Sequence, residues 1–259
     1  MVWAASFLLV QRAWGATSDG GAVALASLPP IAPIAPIEFK ATLGHYAASD
    51  GRDASDLNLR GSVGAYTAWL GWYSDRSGFR QARSGFEHRA EWGSQGWVRS
   101  VVSLQSAAGG AWVGSINAEL GGDTFALLGW GRTNLRPYIN LNFDPNDMVT
   151  VGVGHRSMSG LDLALFAVVD DRLHTGQRVT HATARWRWGS QQRLTVDVSA
   201  KQGHLPGEGP SGSPVGPRVH DRSLSLTYDQ GPHFIRWAHD PHAGFGAAHQ
   251  TRVSVGSRF

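Results

Sequence analysis

Residues Thr251-Arg-Val-Ser-Val-Gly-Ser-Arg-Phe259 alternate without a break and finish on an aromatic ring. Side chains leave a β-strand on opposite faces in turn. A period of two therefore assigns Thr251, Val253, Val255, Ser257 and Phe259 to one face and Arg252 and Arg258 to the other. A strand built this way separates an apolar environment from a polar one. The same division recurs upstream. In Gln177–Trp188, Thr180, Ala182, Ala184, Trp186 and Trp188 share a face opposite His181, Thr183, Arg185 and Arg187. In Arg80–Trp92, Ala82, Phe86, Ala90 and Trp92 oppose Gln81, Arg83, Glu87, Arg89 and Glu91.

Two architectures accommodate this alternation: a soluble sandwich turns the apolar face inward, and a transmembrane barrel turns it out toward lipid. Four or five charges on one face cannot meet hydrocarbon, where each costs roughly 2 to 4 kcal/mol near the midplane, so in a barrel they line a wet lumen. Trp92, Trp97, Trp186 and Trp188 stand at strand ends, where interface girdles belong. In a soluble fold they would be core anchors. With these tryptophans and the terminal Phe259, the chain resembles bacterial outer-membrane β-barrels. The resemblance implies an all-β, antiparallel up-and-down transmembrane barrel, integral to the bacterial outer membrane and in contact with its lipid. It also implies that the last strand presents Val253, Val255 and Phe259 as a signal to the barrel-assembly machinery.

The bulk composition agrees with one large β domain: 259 residues, 33 glycines for tight turns, 11 tryptophans and only 17% charged residues. There is no cysteine, which excludes disulfides and thiolate metal sites. The net charge is +3 with no basic run, so no nucleic-acid partner is expected. No apolar stretch reaches the roughly 18 to 20 residues of a spanning helix. Met1–Val10 has the length of a signal-peptide core, with small residues for cleavage after Ala26 or Gly15, although a basic n-region is absent. The expected organisation is a signal peptide over 1–26, a proline-rich periplasmic leader over 27–37 and the barrel over 38–259. An N-terminal apolar segment belonging to the fold is the alternative.

Alternation and turn residues predict fourteen strands: Ile37–Ala47, Leu57–Tyr73, Arg80–Trp92, Trp97–Ser106, Ala111–Leu120, Thr124–Arg132, Pro137–Phe143, Met148–Ser157, Leu161–Asp170, Gln177–Trp188, Arg193–Gly203, Arg222–Gln230, His233–Asp240 and Gln250–Phe259. A turn at Gly61-Ser-Val-Gly64 would split the second and give fifteen; single-chain barrels have even strand numbers, which keeps it whole. Twelve follows if Thr124–Phe143 is divided differently. On the fourteen-strand reading Asp75–Gly78, Ala107–Gly110, Thr133–Arg136, Met158–Gly160, Gly189–Gln192 and Gly231–Pro232 are short periplasmic turns. Ala48–Asp56, Asp171–Gly176, His204–Asp221 and Pro241–His249 are then the longer surface loops.

Three groups are candidates for function. Arg83, Glu87, Arg89, Glu91, Arg99, Glu119, Arg185, Arg187, Asp197, Arg236, Arg252 and Arg258 are expected to face the lumen, either lining a narrow channel that favours a small anionic solute or pairing across it as a plug. His45, Ser49 and Asp50 should meet His239, Asp240, His242 and His249 at the outer rim, as a metal or hydrolase site or as a solvated loop. His155-Arg-Ser157 is similar to the His-x-Ser pair of outer-membrane lipid A deacylases, with Asp162, Asp170 and Asp171 as the nearest downstream acids. The same residues also read as a polar strand end. Asp144-Pro-Asn-Asp147 reads as a proline-containing turn rather than a calcium loop. Neither a cofactor nor a bound metal is expected. The leading expectation is a non-enzymatic structural or narrow-channel barrel; the alternatives are a lipid hydrolase and an accessory barrel for export of an envelope polymer or protein.

Overall fold

The computed structural model describes residues 36–141, 144–204 and 217–259. The signal peptide and most of the leader expected above lie outside the described residues, as does the centre of the His204–Asp221 loop. The described chain forms fourteen strands: β1 (Glu38–Ala48), β2 (Ala54–Val63), β3 (Tyr66–Asp75), β4 (Arg80–Trp92), β5 (Val98–Ala107), β6 (Ala111–Gly121), β7 (Thr124–Thr133), β8 (Met148–Arg156), β9 (Leu161–Asp170), β10 (Arg178–Trp188), β11 (Gln192–His204), β12 (Arg218–Gln230), β13 (His233–Asp240) and β14 (Gln250–Arg258). Each pairs antiparallel with its sequence neighbour. β14 closes on β1 from Lys40↔Arg258 to Ala48↔Gln250, which leaves no open sheet edge.

Two expected elements are corrected, and their effects on the strand number cancel. Leu57–Tyr73 is two strands, β2 and β3, joined at Gly64-Ala65 with Val63 opposite Tyr66. Gly64 takes φ 53°, the positive angle that a two-residue hairpin turn needs at its first central position. Pro137–Phe143 supplies no strand. β7 and β8 pair directly, Gly131 opposite Met148, so the ladder has no slot for it. Pro137 also lacks the N–H that a ladder requires.

The sidedness of the first half changes with this correction. One end of the barrel carries Phe259 and the connections 64–65, 93–97, 122–123, 157–160, 189–191 and 231–232, all short. The connections at 76–79 and 108–110 and the end of β7 lie instead at the opposite end, with 49–53, 171–177, 241–249 and the ends of β11 and β12 at His204 and Arg218. The first of these ends is called the turn end below and the second the loop end.

The outer wall is apolar. Leu43, Leu57, Leu70, Leu104, Val153, Leu165, Val198 and Val255 are exposed side chains on outward faces. Exposed aromatic rings flank this band at both ends: Tyr66, Trp92, Trp97 and Trp186 toward the turn end, Trp72, Trp112 and Trp130 toward the loop end. Buried positions alternate with them and carry polar residues, among them Asp56, Arg83, Glu87, Glu119, His181, Asp197, Lys201 and Arg252. This is the inverse of a soluble sandwich, in which the apolar face would be the buried one. Inward aromatic residues fit where a neighbour is small. Trp69 packs over Gly85, its register partner on β4, so closely that a Cβ at Gly85 would lie 2.3 Å from the indole.

Candidate functional site in the barrel interior

The chain between β7 and β8 folds back into the barrel. Asn134 Nδ2 donates to the Gly110 carbonyl (2.8 Å), and Leu135 adopts a left-handed φ of 60°, which reverses the chain direction. Inside, the Ile139 amide donates to Gln81 Oε1 (2.9 Å), and the Arg252 guanidinium donates to the Leu141 carbonyl. Leu141 packs with Tyr46, Ala54 and Tyr73 in a small apolar cluster, supported by Ile139. Tyr138 donates to Asn146 Oδ1 (2.8 Å); burial pushes its phenol above the ordinary range, so it remains a neutral donor.

Two carboxylates anchor the far side of this segment. Asp144 Oδ1 lies 2.8 Å from His181 Nε2, while His181 Nδ1 lies 2.9 Å from Asp197 Oδ1. Thr183 donates to the other Asp197 oxygen at 2.5 Å, and Phe166 stacks on the imidazole at 4.7 Å. Asp147 accepts from the Thr133 amide and hydroxyl (3.2 and 2.7 Å) and from Arg172 (3.0 Å). The Asp144–Asp147 turn expected from the sequence is thus an attachment point, and neither acid is free to ligate a cation. An apolar cluster of Phe125, Leu127, Phe166 and Val168 fills the lumen beside it.

The structure places all the proposed lumen residues on inward faces, most of the cations against acids. Arg83 pairs with Asp56, Arg60 with Glu87 (3.1 Å), Arg156 with Glu119 and Arg187 with Asp162 (3.1 Å). Arg99 lies between Glu91 (3.6 Å) and Glu119 (3.8 Å), and Arg89 stands 4.0 Å from Glu87. Arg193 and Arg258 share Asp229 at 2.9 and 2.8 Å. Arg185 stands opposite Asp162 in the β9–β10 register, and Arg236 donates to Ser225 Oγ (3.0 Å). Between the in-folded segment and the wall of β4–β8 a cavity remains, lined by Arg60, Arg89, Gln105, Asn117, Tyr138 and Asn146 among others.

A closed, fourteen-stranded antiparallel cylinder with an apolar outer wall, a charged interior and aromatic rings at both ends matches a known architecture. Its fold is that of the outer-membrane β-barrels. The Acinetobacter baumannii outer membrane protein Omp33 superposes with a TM-score of 0.50 at 8% sequence identity, over 86% of this chain and 98% of that one. Weaker likenesses include the KdgM porin (TM-score 0.45, 8% identity, 85% and 99% of the two chains) and Salmonella typhi OmpF (TM-score 0.41, 10% identity, 86% and 97%). No protein-family model and no curated protein sequence matches the chain.

Of the histidine candidates, His45, His155 and His239 are placed on the outside of this outer-membrane-type barrel, whereas His242 bonds Asp221 (3.3 Å) and its carbonyl accepts from the buried Lys201 (2.6 Å). His239 Nδ1 bonds Thr251 Oγ1 (2.9 Å), and its ring lies 6.2 Å from that of His249. His45 shares this outward face, two strands away, opposite Val253 in the register. Asp240 points the other way and is fully buried against Lys201 (2.5 Å), so it cannot orient either imidazole. Asp50 is held by Arg52 at 2.6 Å, and Ser49 accepts from the His249 amide at 3.1 Å. His155 Nδ1 bonds Thr124 Oγ1 (2.8 Å) and Ser157 bonds Ser159 (2.7 Å), with no hydrogen bond between the pair. Asp162, the nearest downstream acid, is turned inward to Arg187. Among the described residues neither group assembles a nucleophile, base and acid, and no cluster of three metal-ligating side chains is present.

Asp56, His181 and Lys201 form buried interior contacts that the period of two does not single out as a site; Asp240, expected at the outer rim, and Asp144, expected in a turn, join them. One signal was available. Leu163-Ala-Leu-Phe-Ala-Val-Val169 is apolar on both faces, whereas a strand facing water on its lumen side alternates. Phe166 and Val168 are dry because the in-folded segment and its anchors pack beside them.

Proposed function

We infer that the protein is an integral outer-membrane barrel that provides a narrow passage for small polar solutes, constricted by residues 134–141 and 144–147. The single observation that carries this reading is the segment itself, held across the interior at Gln81, Arg252 and His181 while a polar cavity persists beside it. In this reading the apolar wall meets lipid tails, the loop end faces outward and the turn end faces the periplasm. Val253, Val255 and Phe259 on the outward face of the last strand then serve the barrel-assembly machinery. The passage favours small anions weakly, because Arg60, Arg83 and Arg89 outnumber Glu87 and Asp144 among the charges lining the cavity.

The test is conductance of the purified, refolded barrel in a planar bilayer. The unaltered protein should give small, steady openings. Replacing His181 by Ala should release the Asp144 anchor and yield larger or noisier openings. A barrel that inserts yet conducts in neither form would refute the passage.

A further inference from the structure

The charges on the outer wall are distributed unevenly. Every Lys, Arg, Asp or Glu on an outward strand face is an arginine: Arg80, Arg132, Arg178, Arg218 and Arg222. All of them lie toward the loop end, and the outward faces near the turn end carry no formal charge. Arg132 is satisfied by Asp171 at 2.7 Å. Among the described residues neither the Arg178 nor the Arg222 guanidinium is in an ion pair; Asp221, at the wall beside them, bonds His242 (3.3 Å) and the Arg222 amide (3.3 Å) instead.

The β10–β12 register brings these two arginines together. One outward row is Arg178–Gln202–His220 and the next is Thr180–Ala200–Arg222. The small Ala200 leaves a depression between longer neighbours, and a groove opens there, lined by Arg178, Thr180, Gln202, His220 and Arg222, with Lys201 and Asp221 also at its wall. Arg178 Nε donates along its own strand to Thr180 Oγ1 at 3.3 Å, which holds the guanidinium at the edge of the groove. The rows below are apolar: Ala182–Val198–Leu224, then Ala184–Val196–Leu226, ending at Trp186–Leu194–Tyr228. Small side chains on β10 beside large ones on β12 form a furrow that runs from the cationic groove down the apolar wall.

We propose that this groove binds the phosphate of an anionic lipid headgroup, one whose phosphate carries no quaternary ammonium, with an acyl chain lying in the furrow over Ala182 and Ala184. Two guanidinium forks, an imidazole, an amide and a hydroxyl supply convergent donors of the kind that hold a phosphate, and arginine does so bidentately. A lipid is favoured over a free anion because the donor cluster continues directly into an apolar track of about 13 Å, on the order of the depth of one leaflet. The assignment rests on the reading that this wall meets lipid, but it requires no conduction.

Native mass spectrometry of the intact barrel in dodecylmaltoside micelles tests it, with phosphatidic acid and phosphatidylcholine offered at equal concentration. The unaltered barrel should retain phosphatidic acid preferentially. The Arg178→Gln/Arg222→Gln double variant should bind it about tenfold or more weakly, as expected for loss of charge-assisted hydrogen bonds. Arg80→Gln/Arg132→Gln, on the far wall, should leave retention unchanged. Equal retention of both lipids by the unaltered barrel overturns the proposal, whether or not the double variant folds. So does a folded, heat-modifiable double variant that binds as the parent does. Displacement of the lipid by an equal concentration of inorganic phosphate would mark a free-anion site and overturn it too. A barrel that holds phosphatidylcholine without preference loses this inference and keeps its membrane placement; one that is soluble without detergent loses both.

Discussion

Asp144 and His181 meet at 2.8 Å across the barrel interior, and the second imidazole nitrogen rests on Asp197 at 2.9 Å. The connection between β7 and β8 is thereby tied to β10 and, through Asp197, to β11. Removing the imidazole would leave two buried carboxylates without their shared partner. His181→Ala should therefore cost about 3 to 5 kcal/mol of unfolding free energy, read from urea titration in lipid vesicles. Asp144→Asn should cost less, and its effect should not add to that of His181→Ala. Additive losses would show that the two residues do not form one unit.

Lys201 and Asp240 are an ion pair with no exposed surface on either side chain. The ammonium also donates to the His242 carbonyl at 2.6 Å. Lys201→Met strands a buried carboxylate and should destabilise the barrel by about 3 to 5 kcal/mol. Lys201→Met combined with Asp240→Leu should recover most of that loss, since a packed apolar pair replaces the ions. The same titration decides it: a double variant no more stable than the single one contradicts the argument.

Trp69 occupies the space that a side chain at Gly85 would need. Gly85→Val must displace the indole, an overpacking cost of about 1 to 3 kcal/mol. Trp69→Ala should relieve it, so the double variant should unfold at a higher urea concentration than Gly85→Val alone if the clash is the cause.

Arg60 and Arg89 line the interior cavity with only Glu87 near both. Changing both arginines to Gln should shift the reversal potential in a salt gradient from weak anion preference toward cations. An unchanged potential would mean that ions take another route.

Trp92, Trp97 and Trp186 are exposed on the outer wall near the turn end. Phosphatidylcholine brominated on its acyl chains should quench much of the tryptophan fluorescence of the reconstituted barrel, while an aqueous quencher such as iodide should have little effect. The reverse pattern would place the rings in water.

How the strands were read explains both the agreement and the misreading. β10 and β14 were legible because charge and hydrocarbon preference differ so strongly between their faces that only one register fits. The β2–β3 hairpin is legible only as an alternative: its turn, Gly64-Ala65, overlaps the end of the Gly61–Gly64 turn signal, and an even strand count argues against that turn for as long as Pro137–Phe143 counts as a strand. Pro137–Phe143 alternates as well as a genuine strand does, and only the direct pairing of Gly131 with Met148 excludes it.

The amino-acid sequence by itself determined the two-faced strands, which follow from a period of two; a sandwich fits that period as well, so only the resemblance carried by Phe259 and the strand-end tryptophans pointed to a barrel with its apolar face outward. Tertiary structure alone decided which arginine meets which acid, that residues 134–141 and 144–147 turn inward, and that Arg178 and Arg222 share one groove. Those relationships join residues far apart in the chain through strand register and closure, and no local pattern of side chains encodes a distance across the barrel.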